Sequence, residues 1–430
     1  MAVIFPESVS AIIARLRAHG YSAYAVGGCI RDSLIGRVPN DWDITTASLP
    51  ERTAEIFAEP PFRVRIDNGL RHGTVTVFPA DDPHAQYEVT TFRCDGTYSD
   101  YRRPDSVSFV TDLREDLARR DFTVNAMAAA PTEDGGVEFH DPFGGERDLA
   151  AGILRCVGEP RKRFTEDALR ILRGLRFAAR YGFRIEAETA AAMHELAPLL
   201  VHIAPERIGT ELSGFLPGKS CGVLTEEFAD ILTRILPCCT TEDAADRLSR
   251  TEDARIRLVL LCRNADGNVL DRELKRLAYT REVRDEVLLL HRYRNAPLTT
   301  HRDLCRIAEA FAPCRPELSV YFALRRALAD GDSSIDRAEA ETKALCAPGI
   351  CYSTATLAVT GRDLIAAGVK AGPALGDMLK KLTDAAIDGM VENTPEALLQ
   401  TAEIQTERKN TFTAQELPFC FFTFLSVLFL

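Results

Sequence analysis

Two aspartates, Asp41 and Asp43, flank Trp42. On an extended strand alternate side chains share a face, so both carboxylates would point the same way. Adjacent carboxylates repel unless a cation sits between them, and hard oxygen ligands suit Mg2+. A third carboxylate, Glu88, lies in a later β-rich run from Tyr87 to Phe92. Three carboxylates on neighbouring strands can hold two divalent ions, which activate an attacking hydroxyl and stabilise the leaving oxygen of a displacement at phosphorus. Each group also has a plainer reading. The aspartate pair suits a solvated loop, and Glu88 suits the surface of an edge strand.

Just upstream stands Gly27-Gly28-Cys29-Ile30-Arg31-Asp32. A glycine pair after a strand lets backbone approach a phosphate closely, and a following helix start favours negative charge. Arg31 adds a possible charge-assisted contact. A lone glycine pair is usually a plain turn. Glycine pair, arginine and double aspartate within so short a stretch form a much rarer conjunction. Further along, Arg170, Arg173 and Arg176 recur every third residue, which places them along one side of a helix. Asp167 stands three before Arg170 and is expected on the same side. A stripe of i,i+3 salt bridges is the plain reading of this group. From Arg155 to Arg184 nine basic residues stand against three acids, net +6, so a phosphate-binding stripe exists in a chain whose overall charge is −11. The acidic whole argues mildly against a nucleic-acid binder, but local charge is what a phosphate backbone meets.

The elements that must hold these residues follow from pattern. Residues 9–19 read as an amphipathic helix stopped by Gly20. Tyr24-Ala25-Val26 is a short strand that ends at the glycine pair, with a helix expected from Ile30. Gly73–Phe78 and Tyr87–Phe92 have strong β composition and are expected to pair. The stretch from Arg93 to about Asp105 reads as a loop. From about Phe164 onward, apolar residues fall at helical spacing and few β-rich runs remain. The fold class is therefore an α/β N-terminal head, a small mixed sheet with helices, followed by an all-helical neck, body and tail. The apolar fraction of 46% and charged fraction of 27% are ordinary for a water-soluble protein. Twelve scattered cysteines without a CxxC pair read as reduced thiols. No signal peptide is expected, and Pro418–Leu430 is too short for a spanning helix.

The ordered motifs resemble the class II tRNA nucleotidyltransferase (CCA-adding) and bacterial poly(A) polymerase family, within the superfamily headed by DNA polymerase beta. The carboxylate and glycine motifs match first. Arg119-Arg120-Asp121-Phe122-Thr123-Val124-Asn125-Ala126 resembles the second family motif and Asp141-Pro142-Phe143-Gly144-Gly145 the third. Glu166-Asp167-Ala168-Leu169-Arg170 with Arg173 resembles the fourth, and Glu206-Arg207-Ile208 with Glu211 the fifth. The resemblance runs from about residue 20 to 215. It implies that Asp41 and Asp43 hold Mg2+ and act in catalysis with Glu88. It places Gly27, Gly28, Arg31, Arg120, Asp121, Asp167, Arg170, Arg173 and Arg176 against the nucleotide. Asp121 would accept from the ribose 2′-OH. Asp167 and Arg170 would read the base: cytosine and adenine both offer an amino donor beside a ring acceptor, whereas uracil and guanine set a carbonyl against the carboxylate.

The implied activity is untemplated addition of C, C and A to tRNA from CTP and ATP, releasing pyrophosphate. The implied partners are the acceptor and T arms of tRNA, ATP and CTP, with no DNA and no membrane, in the cytoplasm. The sequence does not decide the oligomeric state. Expected domains are a catalytic head at 1–150, a neck at 151–215, a body at 216–345, a tRNA-binding tail at 346–410 and an apolar extension of unassigned role at 411–430. A poly(A) polymerase is the nearest rival, but such relatives tend to be strongly basic. Arg71-His72-Gly73-Thr74-Val75 resembles the CCA-adding form more closely. An enzyme adding only CC would lack part of the loop at Asp95–Pro104, which is whole here. The rival from another class is a catalytically inactive RNA-binding module, against which the intact carboxylates speak. Some relatives carry a phosphohydrolase domain built on a His-Asp dipeptide and satellite histidines, and that activity is not expected.

Overall fold

A computed structural model describes residues 3–66, 73–80, 82, 85–96, 106–312, 317–329 and 333–403. The chain forms two compact units, 1–288 and 289–430. In the first, helix α1 (Glu7–Ala18) buries Val9, Ile12, Ile13 and Leu16. Its spacing of apolar residues gives the helix one continuous buried stripe. Gly20, at φ 83°, turns the chain into strand β1 (Ala23–Val26), whose four residues are all buried. The glycine turn leads into α2 (Gly28–Leu34), then β2 (Asp43–Thr46), α3 (Pro50–Ile56), β3 (Phe62–Arg65), β4 (Thr74–Pro79) and β5 (Tyr87–Thr91). As expected, β4 and β5 pair antiparallel.

The segment from Arg93, expected to be loop, begins with a strand. Here β6 (Arg93–Asp95) pairs antiparallel with β7 (Val107–Phe109), a pairing continued by the Gly96 amide donating to the Ser106 carbonyl at 2.9 Å. Short strands flanked by charged residues carry too little alternation to be seen in the sequence. After α4 (Leu113–Ala118) and a 3-10 turn at Thr123–Asn125 come β8 (Ala128–Pro131) and β9 (Val137–His140). The seven-stranded sheet runs β3-β4-β5-β2-β1-β8-β9. Only β2 and β5 pair in parallel, with Ile44 opposite Val89. Asp43 and Glu88, one residue earlier on each strand, therefore stand abreast.

Helix α5 (Gly145–Ala150) and β10 (Ile153–Leu154) lead to α6 (Pro160–Glu166) and α7 (Leu169–Tyr181). A parallel contact of β10 with β11 (Arg184–Ile185) is the last strand pairing among the described residues. Helices α8 (Ala187–Leu196) and α9 (Pro205–Phe215) follow, and the rest of the unit is helical. Helix α7 buries Leu169, Ile171, Leu172, Leu175 and Phe177 and ends at Gly182, which takes up the left-handed conformation at φ 73°. Burial of that stripe leaves its arginines on the opposite side.

The second unit is also helical. Its C-terminal part packs Leu357, Val359, Leu364, Met378, Leu382 and Leu398 into one core. A capping box of Thr360 and Asp363 starts the helix Gly361–Ala366 there. Among the described residues no helix is long and apolar enough to cross a membrane. The 418–430 tail, Arg71, His72 and most of the loop at 95–104 lie outside the described residues.

Candidate active site

Trp42 fixes the first part of the site. It is buried and packs against Phe5 with ring centroids 5.7 Å apart. Alternation about that anchor leaves Asp41 and Asp43 exposed, although the strand itself begins only at Asp43 and Asp41 lies just before it. Beside them on the parallel neighbour, Glu88 is exposed too. The Asp43 carboxyl is pushed above its usual value. Loss of hydration against the protein is the largest cause, Arg120 opposes it, and the negative Glu88 and Asp41 add to it. This end carries uncompensated negative charge that a divalent cation would relieve. Among the described residues no three ligands converge into a closed metal cage. A divalent cation can be held by one or two protein carboxylates and complete its shell with water and phosphate oxygens.

Gly27, at φ 82°, makes the turn after β1. A Cβ there would lie 2.8 Å from the Arg120 Nη1, so only glycine lets this guanidinium pass under the turn. Gly28 is less constrained, since a Cβ would meet only the end of Arg31 at 3.4 Å. Arg31 is buried, and its donors are committed: Nε to Asp32 at 2.9 Å, Nη2 to the Tyr181 hydroxyl at 2.7 Å and Nη1 to Asn125. It lines the cavity as a brace; phosphate contact would have to compete with those bonds.

Asn125 passes the brace on by donating to Asp121 at 3.1 Å. The Asp121 carboxylate also accepts from the Phe122 amide at 2.9 Å and from Arg173 Nε at 2.8 Å. Burial opposes its ionisation, but Arg173, Asn125 and Arg170 outweigh burial and bring its pKa down to about 2. Asp121 is thus a fixed anion beneath the cavity.

Asp167 differs from expectation. It does not share a helix with Arg170 but forms the break between α6 and α7, at φ −140° and ψ 103°. The reason is local: its carboxylate accepts from the Leu169 amide at 3.0 Å, capping the new helix instead of continuing the old one. Arg207 of α9 holds the other oxygen at 3.2 Å. The expected stripe of arginines exists, and each member is tied down. Arg170 pairs with Glu166 at 2.9 Å, Arg173 with Asp121 at 2.7 Å and Arg176 with Glu211 at 2.6 Å. Helical periodicity supplied the arginines; it could not show that their acids come from three different elements.

Of the site residues expected from the sequence, all except Glu88 line one cavity of about 630 Å³, together with Asn40, Asn125, Arg180 and Arg207. Glu88 sits at the strand beside it. The sequence reading missed Asp116, which is fully buried below the site and bonded to Arg119 at 2.9 Å. Its spacing of three and four before Arg119 and Arg120 was the available signal. It also passed over His140-Asp141, a His-Asp dipeptide. Asp141 caps α5 by accepting from the amides of Gly145 at 2.7 Å and Glu146 at 3.0 Å, and His140 bonds Glu138 at 2.7 Å. Both have structural employment there.

Comparison with known proteins places this geometry. A profile described as Poly A polymerase head domain matches residues 23–155. One for tRNA nucleotidyltransferase domain 2 (putative) matches 249–402, and one for a probable RNA and SrmB-binding site of polymerase A matches 182–220. The CCA-adding enzyme of Limosilactobacillus fermentum is 35% identical over 92% of this chain and 96% of its own length. That of Geobacillus kaustophilus is 36% identical over 91% and 95%. The crystal structure of the Bacillus stearothermophilus CCA-adding enzyme in complex with CTP superposes with a TM-score of 0.73 at 32% identity, covering 96% of this chain and all of that one.

Proposed function

The chain belongs to the CCA-adding enzymes, a family of nucleotidyltransferases, and from that premise we propose that it rebuilds the tRNA 3′ end by adding C, C and A from CTP and ATP without a nucleic-acid template. The observation that carries the reading is the single cavity that joins two exposed aspartates at one end to an aspartate–arginine pair at the other. The reaction and the choice of base are then performed in one space.

Asp41 and Asp43 hold the divalent cation, taken here as Mg2+. When bound, the cation neutralises charge on the α-phosphate and lowers the pKa of the attacking 3′-hydroxyl. Glu88, abreast of Asp43, helps draw off the proton of that hydroxyl. The oxygen then attacks the α-phosphorus and pyrophosphate leaves. Arg120, Arg173 and Arg176 orient the triphosphate, and Gly27 and Gly28 let it approach the backbone. Arg31 holds the wall behind them. Asp121 faces the ribose. Catalysis here is positioning and charge neutralisation.

Base choice falls to Asp167 and Arg170. The carboxylate accepts from the amino group of cytosine or adenine, and the guanidinium donates to the ring acceptor. A uracil or guanine carbonyl would face the carboxylate instead, at a cost of about 1–3 kcal/mol. Capping by Asp167 and its bond to Arg207 fix the carboxylate before the nucleotide arrives. The helical remainder grips the acceptor and T arms of tRNA, and the enzyme works in the cytoplasm. A poly(A) polymerase is the weaker reading, because the relatives that match over nearly the whole chain are CCA-adding enzymes.

The deciding experiment offers the purified protein a tRNA lacking its last three nucleotides, with each NTP singly and then CTP plus ATP. The expected outcome is two C additions with CTP alone, one further A with both, then arrest. Continued A addition would establish a poly(A) polymerase, and no addition an RNA-binding module.

A further inference from the structure

Beneath the cavity lies a buried acid with no assigned part in the reaction. Asp116 is fully buried on α4. Its Oδ1 accepts from Arg119 Nε at 3.0 Å and Nη2 at 2.9 Å, and from the Arg93 amide at 3.4 Å. Its Oδ2 accepts from the Thr45 hydroxyl at 3.2 Å and lies 3.6 Å from Arg120 Nη2. These partners belong to different parts of the site. Thr45 is on β2, two residues beyond Asp43. Arg120 runs under Gly27 and reaches the Asn125 carbonyl at 3.5 Å. The Arg119 carbonyl accepts from Arg170 Nη2 at 3.0 Å.

We propose that Asp116 is a positioning residue for nucleotide selection: it fixes Arg120 under the glycine turn and, through Arg119, the carbonyl on which Arg170 rests. The inference rests on the functional reading above, since it takes Arg170 as the base reader and Arg120 as a phosphate ligand. Two guanidiniums held by one buried carboxylate cannot both keep their places once its charge is removed. Arg120 then loses its ion pair with Asp116, and Arg119 is freed to carry its backbone with it. Arg170 keeps its ion pair with Glu166 at 2.9 Å, so its charge stays in the site while its aim is lost. The role is therefore distinct from holding the fold together. It predicts damage to nucleotide affinity and base choice rather than to the amount of folded enzyme alone.

The test compares Asp116→Asn and Thr45→Val with the unsubstituted enzyme in C addition to tRNA lacking CCA. Active sites are counted from the burst of the first turnover, and CTP competes with UTP. In Asp116→Asn, KM for CTP per active site is expected to rise, and the preference for C over U to fall, each by about tenfold to a hundredfold. Thr45→Val removes one neutral donor, shared between this carboxylate and the Thr90 carbonyl at 3.2 Å each, and keeps the shape of the side chain. It is expected to move both quantities in the same direction by about fivefold. The double variant is expected to resemble Asp116→Asn alone, because the two changes remove one network. A loss confined to the count of active sites, with KM and base preference unchanged, overturns the proposal. If Asp116→Asn does not fold, Thr45→Val decides the matter by the same two quantities. An unsubstituted enzyme that adds no C would refute the functional reading, not the network.

Discussion

The two ends of the cavity are built on opposite electrostatic plans. At the strand end, Asp41, Asp43 and Glu88 stand together; loss of hydration first, and then the two neighbouring carboxylates, push the Asp43 carboxyl up against the pull of Arg120. At the helical end four arginines stand paired with acids: Arg170 with Glu166, Arg173 with Asp121, Arg176 with Glu211 and Arg207 with Asp167. The first end gathers negative charge that a cation would relieve. The second is complete beforehand, with its side chains held at fixed angles. A metal site profits from unrelieved charge, whereas discrimination between neutral base edges profits from donors and acceptors that do not move.

The comparison is most directly broken by removing a carboxylate from the first end. Asp41→Ala or Asp43→Ala is expected to abolish addition of C and of A alike, by about a thousandfold or more in kcat. Incorporation of either nucleotide near the unsubstituted rate would show that the cation is held elsewhere. The same Asp43→Ala protein is expected to lose the rise in Tm that Mg2+ gives the unsubstituted protein.

A change at the second end is expected to act differently. Asp167→Ala leaves the carboxylates intact, so chemistry continues, but the preference for C and A over U and G is expected to fall by about tenfold to a hundredfold. Competition between labelled CTP and UTP measures it. A variant that remains strictly confined to C and A would remove Asp167 as the reader and with it the contrast between the two ends.

The smallest effect concerns stability. Asp121 has a folded pKa of about 2 against an ordinary 3.8. A depressed carboxylate contributes stability above its unfolded pKa and loses it as pH falls through the folded one, so the contribution fades between about pH 4 and pH 2. It amounts to about 2 kcal/mol. Acid unfolding of Asp121→Asn is expected to be less steep in that window. Identical acid midpoints and slopes for both proteins would mean that Arg173 does not hold the carboxylate in solution.

How far these two plans could be read beforehand follows the same division. The strand end was legible because its chemistry is local. Asp41, Trp42 and Asp43 are consecutive, and alternation alone turns the aspartates outward. The glycine turn was legible for the same reason, though not that Arg120 lies beneath it. At the helical end the residues were visible and their pairing was not. Arg173 meets Asp121 from 52 residues away, and Arg176 meets Glu211 from 35. Pattern in one helix carries no information about such partners. Asp167 shows the limit most sharply. Spacing of three placed it on the helix of Arg170, but a short polar side chain beside a free amide preferred to cap. The sheet was read as mixed but its order was not, since the parallel β2–β5 pairing depends on which strands meet after an intervening hairpin.

Trp42 is more than an anchor. It is the sole tryptophan among 430 residues, shielded on one side by Phe5 and flanked in the chain by the two aspartates. Excited at the red edge of indole absorption, the whole molecule therefore emits from one place, beside both carboxylates. Metal binding, nucleotide arrival and pyrophosphate departure can be followed there in real time, without a label and without altering a residue of the site.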